Sequence, residues 1–106
     1  MSKKDIRKKF RSEVFKRDDF TCQVCNTKRS EEELDAHHIS DRSTMANGGY
    51  VASNGITVCK EECHMQVEEF HISDGQEWTP GLHPNNLYEK IGSSKEQADK
   101  DSEALA

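Results

Sequence analysis

The chain has few of the residues from which a hydrophobic core is built. Of its 106 residues, 32% are apolar and 7% aromatic, whereas 33% are charged. Soluble domains are usually about 45–50% apolar when glycine is counted, and the six glycines here do not close that gap. Apolar burial alone would stabilise such a small domain weakly. Either part of the chain is disordered or another kind of contact holds it together.

The chain also lacks any long apolar run. No segment approaches the roughly 18–20 apolar residues that a membrane-spanning helix requires, so no membrane partner is expected. The N-terminus is basic, but no apolar stretch follows it, which argues against a secretory signal. We therefore expect a cytoplasmic protein whose cysteines lie in a reducing compartment.

Positive charge is scarce outside the N-terminus. The net charge is −5, yet residues 1–17 hold eight of the fifteen Lys and Arg residues and carry +6, which leaves −11 on the rest. This asymmetry is typical of a basic arm on an acidic body. The arm is either a solvated face or a surface for phosphate groups.

Apolar spacing predicts a small α+β domain. The predicted elements are a helix over 5–17, strands over 34–39 and 56–58, a helix over 61–72 and a short helix over 84–91. Asn-Gly pairs punctuate the long loop between the two strands, which are expected to form a hairpin.

Three regions follow from this pattern. Residues 1–19 form a basic N-terminal helix or arm, residues 20–92 form the central domain, and residues 93–106 form a polar tail. The tail has few apolar anchors and is expected to be frayed or disordered.

Four cysteines occur as two closely spaced pairs, Cys22-x-x-Cys25 and Cys59-x-x-x-Cys63. Structural zinc sites use four protein ligands in two such knuckles, which close the coordination sphere. Zinc binding contributes about 10–16 kcal/mol in small metal-dependent folds, enough to compensate for a thin core. The spacing favours structural zinc; two disulfides, a redox pair and unpaired core thiols are the alternatives.

Two histidine regions lie near the cysteines in the sequence. His37 and His38 end the first predicted strand, Asn54 follows 16 residues after His38, and His64 comes directly after Cys63. Zinc knuckles would join the second strand to the helix that carries His64, so the two histidine regions are expected to converge. A lone histidine is usually a polar surface residue, but this combination favours a functional site.

The segments RDDFTCQVC, DAHHI and NGITVCKEECH, in this order, resemble the HNH endonuclease family, in its cysteine-containing, zinc-stabilised branch. The resemblance covers roughly residues 11–71, and the segment WTPGLHPNNLYEKIGSS is similar to the tails of small phage and bacterial members. It implies a ββα-metal fold within the central domain, with flanking helices. In that fold two strands and a helix hold one divalent cation, separate from the zinc on the four cysteines.

The resemblance also implies roles for single residues. His38 matches the general base that activates water, and Asn54 matches the residue that holds the loop carrying this base. His64 matches a metal ligand, and His37 stands at a metal-binding position that is often Asp. Glu68, one turn after His64, matches a second helix ligand.

One further residue on the same helix bears on the ligand set. His71 is a less favoured alternative to Glu68, because residues seven apart lie about 10.5 Å apart along a helix axis. One residue more than the usual Cys-x-x-Cys-His spacing precedes His64 and affects the register of Glu68. Imidazole and carboxylate ligands suit Mg²⁺, Mn²⁺, Ni²⁺ or Zn²⁺ as the exchangeable cation.

The implied activity is metal-dependent hydrolysis of DNA phosphodiester bonds, including nicking of one strand. Contacts to phosphates would come from Arg42 and the basic arm, namely Lys8, Lys9, Arg11, Lys16 and Arg17. Such contacts carry little sequence information, so low specificity is expected.

Two other functions fit the same residues. One is a non-catalytic, zinc-stabilised module that binds nucleic acid. The other is an interaction subunit inside a larger phage or restriction complex, where the acidic body would bind a basic partner. The sequence indicates no surface for dimerisation.

Overall fold

A computed structural model describes residues 2–105. Its regular elements are α1 (Lys3–Arg17), β1 (Leu34–His38), β2 (Gly55–Cys59), α2 (Cys63–Ile72), α3 (Pro84–Lys90) and α4 (Lys95–Glu103). Short 3₁₀ turns occupy much of the loop between the strands. The prediction of a small α+β fold is confirmed. Within residues 2–105, no helix is both long enough and apolar enough to cross a membrane.

β1 and β2 pair as an antiparallel hairpin, with Leu34 opposite Cys59 and His38 opposite Gly55. Successive side chains of a strand point to opposite faces, so the side chains of β1 enter two different environments. Leu34 and Ala36 pack in the apolar cluster built around α1. Asp35 and the other odd-numbered positions face α2. The hairpin is therefore covered by α1 on one face and by α2 on the other.

α1 is held by one apolar stripe and by one arginine. Phe10, Val14 and Phe15 are buried against the hairpin. Arg17, at the last turn, donates to the carbonyl oxygens of Ala52 and Gly55, each at 2.7 Å. The helix that the sequence predicts as a basic arm is thus packed directly against the strand ends that carry the histidines.

The knuckle before β1 is a turn rather than a strand. Residues 20–28 hold one isolated bridge, between Thr21 and Lys28. The chain reverses between them through Asn26, which has φ 60° and donates its N–H to the Cys22 carbonyl at 2.8 Å. The reversal brings Cys25 back toward the end of β2.

The C-terminal segment differs from the expected frayed tail, since α4 spans Lys95–Glu103. Ala98 and Ser102, one turn apart, are both fully buried. The Ser102 hydroxyl accepts from the Gly49 N–H at 3.1 Å, and Asn47 donates to the Ser102 carbonyl at 2.9 Å. Small and polar residues anchor this helix, which is why a search for apolar anchors predicts none.

Gly55 tests how tightly α1 packs on the hairpin. A β-carbon there would lie 2.5 Å from Val14 Cγ2 and 2.7 Å from Phe10 Cε1. Gly55→Ala is expected to lower the free energy of unfolding by about 1–3 kcal/mol through this overlap, as measured by urea denaturation. In a double-mutant cycle with Val14→Ala, the pair should cost less than the sum of the single changes. Strict additivity would show that the contact is absent.

Candidate metal centres and active site

The four cysteines meet at the point where the knuckle, the end of β2 and the start of α2 come together. Their sulfur atoms all lie within 4.8 Å of one another, and Cys25 Sγ is 3.6 Å from Cys59 Sγ. All four are free thiols. The Cys25 N–H also donates to Cys22 Sγ at 3.4 Å. The structure therefore assembles all four predicted zinc ligands in one cluster.

This cluster fits a tetrahedral zinc ion. Zinc with Zn–S bonds of about 2.3 Å separates its sulfur ligands by about 3.8 Å, close to the observed approach. The pKa of Cys25 is lowered to about 6, mainly by a hydrogen bond from the Thr27 side chain. Burial raises the pKa of Cys59 and Cys63, so these thiols need a cation to ionise at neutral pH. Four protein ligands leave no open position, as in structural sites.

A second cluster lies between β1 and α2. Ligand atoms of His37, His64 and Glu68 all lie within 4.8 Å of one another. Glu68 Oε1 is 3.0 Å from His37 Nδ1 and 3.3 Å from His64 Nε2. Glu68 lies one helical turn after His64, so both side chains project from one face of α2. Glu68 completes this cluster, and His71 is outside it.

The donor set in this second cluster fits a divalent cation. His37 is fully buried, with Nδ1 3.0 Å from Glu68 Oε1 and Nε2 without a hydrogen-bond partner. Burial lowers the pKa of His37, which keeps its ring neutral. The nearby His37 and His64 hold the pKa of Glu68 well below its usual range. A neutral, buried imidazole beside a carboxylate is a donor set that suits a cation with N and O ligands.

Asp35 orients His64 from behind. Its Oδ2 lies 2.6 Å from His64 Nδ1, and hydrogen bonds to Glu68 and Asp35 raise the pKa of His64. Nδ1 donates its proton to Asp35, which leaves Nε2, 3.3 Å from Glu68 Oε1, as the nitrogen that would bind a cation. Histidines that bind metals usually make such an outer hydrogen bond to a carboxylate. The sequence signal for Asp35 is its place two residues before His37, on the same strand face.

His38 projects to the opposite face of β1, into an aromatic cage. Its ring stacks on Phe10 at 4.6 Å between centroids and meets the edge of Tyr50 at 4.6 Å. Its Nε2 is buried without a hydrogen-bond partner. Burial, followed by the charges of Arg42 and His37, lowers the pKa of His38 to about 4. The imidazole is therefore neutral near pH 7.

Asn54 ties together the loop that follows His38. It is fully buried, accepts from the Ser40 N–H at 2.9 Å and donates to the carbonyls of Ser40 and Gly49 at 3.2 and 3.1 Å. The Tyr88 hydroxyl donates to the same amide oxygen at 2.7 Å. Asn54, the last residue of this loop, thus bonds to its start at Ser40 and to its middle at Gly49 through one side chain.

The structure divides the predicted DNA-binding residues into two groups. Arg11 donates to the Glu31 carbonyl at 2.8 Å and stacks over Phe15, and Arg17 is bonded to backbone carbonyls and to Asp18. These two guanidiniums help to hold α1 in place, and their role as DNA contacts stays a prediction. Lys8, Lys9 and Lys16 are exposed on α1 and remain predicted contacts.

A cationic cleft adjoins His38. It has a volume of about 860 Å³ and is lined by Lys3 and Arg7 from α1 and by Arg42 and Tyr50 from the loop. Arg42 donates to the Tyr50 hydroxyl at 2.8 Å, and Arg7 lies over the Tyr50 ring at 5.7 Å. Burial raises the pKa of Tyr50, but Arg42 and Arg7 outweigh it and lower the pKa overall. Three cationic side chains against the single carboxylate of Asp41 give the cleft a net positive charge, which favours negatively charged groups.

Sequence reasoning missed the aromatic cage and the place of Tyr50 in the cleft. Arg7 belongs to the basic arm that the charge pattern indicates, and it lies three residues from Phe10 on the same face of α1. Nothing local to Tyr50 indicated its contact with His38, because the contact depends on the path of the loop.

Comparison with known proteins agrees with this geometry. Residues 22–70 match the family model described as HNH endonuclease. The match spans all four cysteines, both histidine regions and Glu68. No curated protein and no solved structure matches the chain.

Asp35→Asn is expected to weaken divalent-cation binding by about tenfold to 100-fold, because it removes the carboxylate that orients His64. Calorimetric titration of Mn²⁺ into zinc-loaded protein measures this affinity, and the zinc content should not change. Glu69→Gln is the matched control, since Glu69 accepts from Thr79 at 3.0 Å and lies outside the ligand cluster. Equal affinities in the wild type and Asp35→Asn would contradict the role of Asp35.

Proposed function

Because residues 22–70 match the HNH endonuclease family model, we propose that the protein is a metal-dependent DNA endonuclease with one exchangeable divalent cation and a histidine base. One observation carries the proposal. His37, His64 and Glu68 form a ligand cluster, and the next residue after His37, His38, has a neutral imidazole whose Nε2 has no hydrogen-bond partner. A purely structural zinc module has no need for either feature. The proposal extends the family's nuclease character to a specific reaction and site.

His38 acts as the general base. Its pKa of about 4 keeps the ring neutral at working pH, and the stacking on Phe10 holds the ring in one orientation. The ring accepts a proton from water as the water oxygen bonds to phosphorus. The bond from phosphorus to the 3′ oxygen breaks, and the departing oxygen takes up a proton from solvent.

His37, His64 and Glu68 would hold the divalent cation. When bound there, it would neutralise charge on the phosphate and on the leaving oxygen. Asp35 keeps His64 in the tautomer that a ligand requires, and Asn54 keeps the loop after His38 closed. These two residues position the site and need not touch the substrate.

DNA enters along the cationic cleft. Lys3, Arg7 and Arg42 supply positive charge beside Tyr50, which contacts the His38 ring. Arg42 and Tyr50 carry N–H and O–H donors that suit phosphate oxygens. Contacts of this type recognise the backbone rather than base edges, in keeping with low sequence specificity.

His38→Ala tests the base. We expect cleavage of supercoiled plasmid to fall by about 10²–10⁴-fold with Mg²⁺ or Mn²⁺, because no other group replaces the proton acceptor. Zinc content and the melting temperature report that the fold survives. His83→Asn is the matched control, since Asn preserves the helix cap that His83 supplies to α3 at 3.1 Å. Undiminished cleavage by His38→Ala would overturn the assignment of the base.

Arg7→Gln tests the route of the DNA. We expect the dependence of log affinity on log salt concentration to lose about one unit of slope, because one phosphate contact disappears. Binding of a short duplex, measured by fluorescence anisotropy over a salt series in Ca²⁺ or EDTA, gives this slope. Lys8→Gln removes the same charge from a position about 160° around α1 from Phe10 and is expected to change the slope less. A larger effect from Lys8→Gln would place the DNA on the outer face of α1.

A further inference from the structure

His71 touches both of the adjacent histidines on β1 without joining the ligand cluster. Its Nε2 lies 3.0 Å from the backbone carbonyl oxygen of His38. A carbonyl only accepts, so Nε2 carries the proton and donates. The His71 ring also stacks on His37, with centroids 5.3 Å apart and planes 26° apart.

The hairpin leaves this carbonyl unpaired. In an antiparallel ladder, alternate residues bond to the partner strand and the residues between them direct their polar groups to the opposite edge. Ile39 donates to Asn54 and Lys60 donates to Glu33, each at 2.9 Å, so odd-numbered positions of β1 bond to β2. The His38 carbonyl therefore points to the outer edge of a two-stranded sheet, where His71 meets it.

The orientation of the peptide unit after His38 matters because the side chains of His37 and His38 point in opposite directions. His37 points toward α2 and its cluster, whereas His38 points toward α1 and its aromatic cage. In the proposed reaction, both act on one phosphate at the end of the strand. Rotation of the peptide after His38 would change the direction of the base relative to the metal ligands.

We propose that His71 is a positioning residue that sets the direction of His38 relative to the cation cluster, through its hydrogen bond to the His38 carbonyl and its packing on His37. The proposal rests on the endonuclease function proposed above. It assigns to the last turn of α2 a role separate from metal binding, which belongs to His64 and Glu68 on the preceding turns.

Two variants separate the hydrogen bond from the ring. His71→Phe keeps a stacking ring but loses the donor, whereas His71→Gln restores an N–H near the position of Nε2. With zinc-loaded full chain, supercoiled plasmid and Mn²⁺, we expect His71→Phe to lower kcat about tenfold to 100-fold, as for a small misplacement of a reacting group. KM and the Mn²⁺ affinity should stay within about twofold, and His71→Gln should recover most of kcat.

Imidazole ¹H–¹⁵N spectra give a readout that does not need cleavage. In the wild type, His71 should be the tautomer protonated at Nε2. The ring signals of His38 should shift in His71→Phe and stay near their wild-type positions in His71→Gln. If the wild type cleaves nothing, the endonuclease proposal fails while these spectra still decide the role of His71.

Three results would overturn the proposal. The first is a His71 ring protonated only at Nδ1 in the wild type, which decides the matter even if His71→Phe does not fold. The second is an unchanged kcat in a folded His71→Phe variant. The third is a loss of Mn²⁺ affinity of more than about tenfold in both variants, which would make His71 a ligand.

Discussion

The convergence of four sulfur atoms is the constraint on which the rest of the structure depends. The chain has too few apolar residues to hold a loop, a hairpin and a helix together by burial alone, and the cysteine cluster joins all three at one point. Because His64 directly follows Cys63, the zinc knuckle also sets where the functional face of α2 begins. The cysteine cluster thereby fixes the position of the second cluster, which is made of His37, His64 and Glu68.

β1 distributes two chemical roles over its two faces. Toward α2, Asp35 and His37 lie among carboxylates and imidazoles that favour a cation. Toward α1, His38 lies against Phe10 and Tyr50, where burial keeps it neutral. A general base needs a free lone pair, whereas a cation site needs negative charge. Because side chains alternate along a strand, two consecutive residues of β1 lie in these two different environments. α1, which the charge pattern alone would make a peripheral arm, forms one wall of the site.

Much of this arrangement was predictable because the ligands lie at short intervals in the sequence. The cysteine pairs, the two adjacent histidines and the one-turn interval from His64 to Glu68 each place ligands within a few residues of one another. The remaining parts depend on contacts across the chain. The role of Asp35 is visible only in its contact with His64, and the role of Arg11 and Arg17 in anchoring α1 only in their bonds to backbone carbonyls. α4 eluded prediction because buried Ala98 and Ser102 leave no apolar signature.

The central claim is that one chain holds two chemically distinct cations, with a closed thiolate zinc arranging an exchangeable N- and O-ligated site. Anomalous diffraction from a Mn²⁺-soaked crystal of the zinc-loaded protein, collected at the Zn and Mn absorption edges, tests this directly. The account predicts a zinc peak among Cys22, Cys25, Cys59 and Cys63 and a separate manganese peak among His37, His64 and Glu68. A single shared site, disulfide-bonded cysteines, or manganese bound away from these three residues would contradict it.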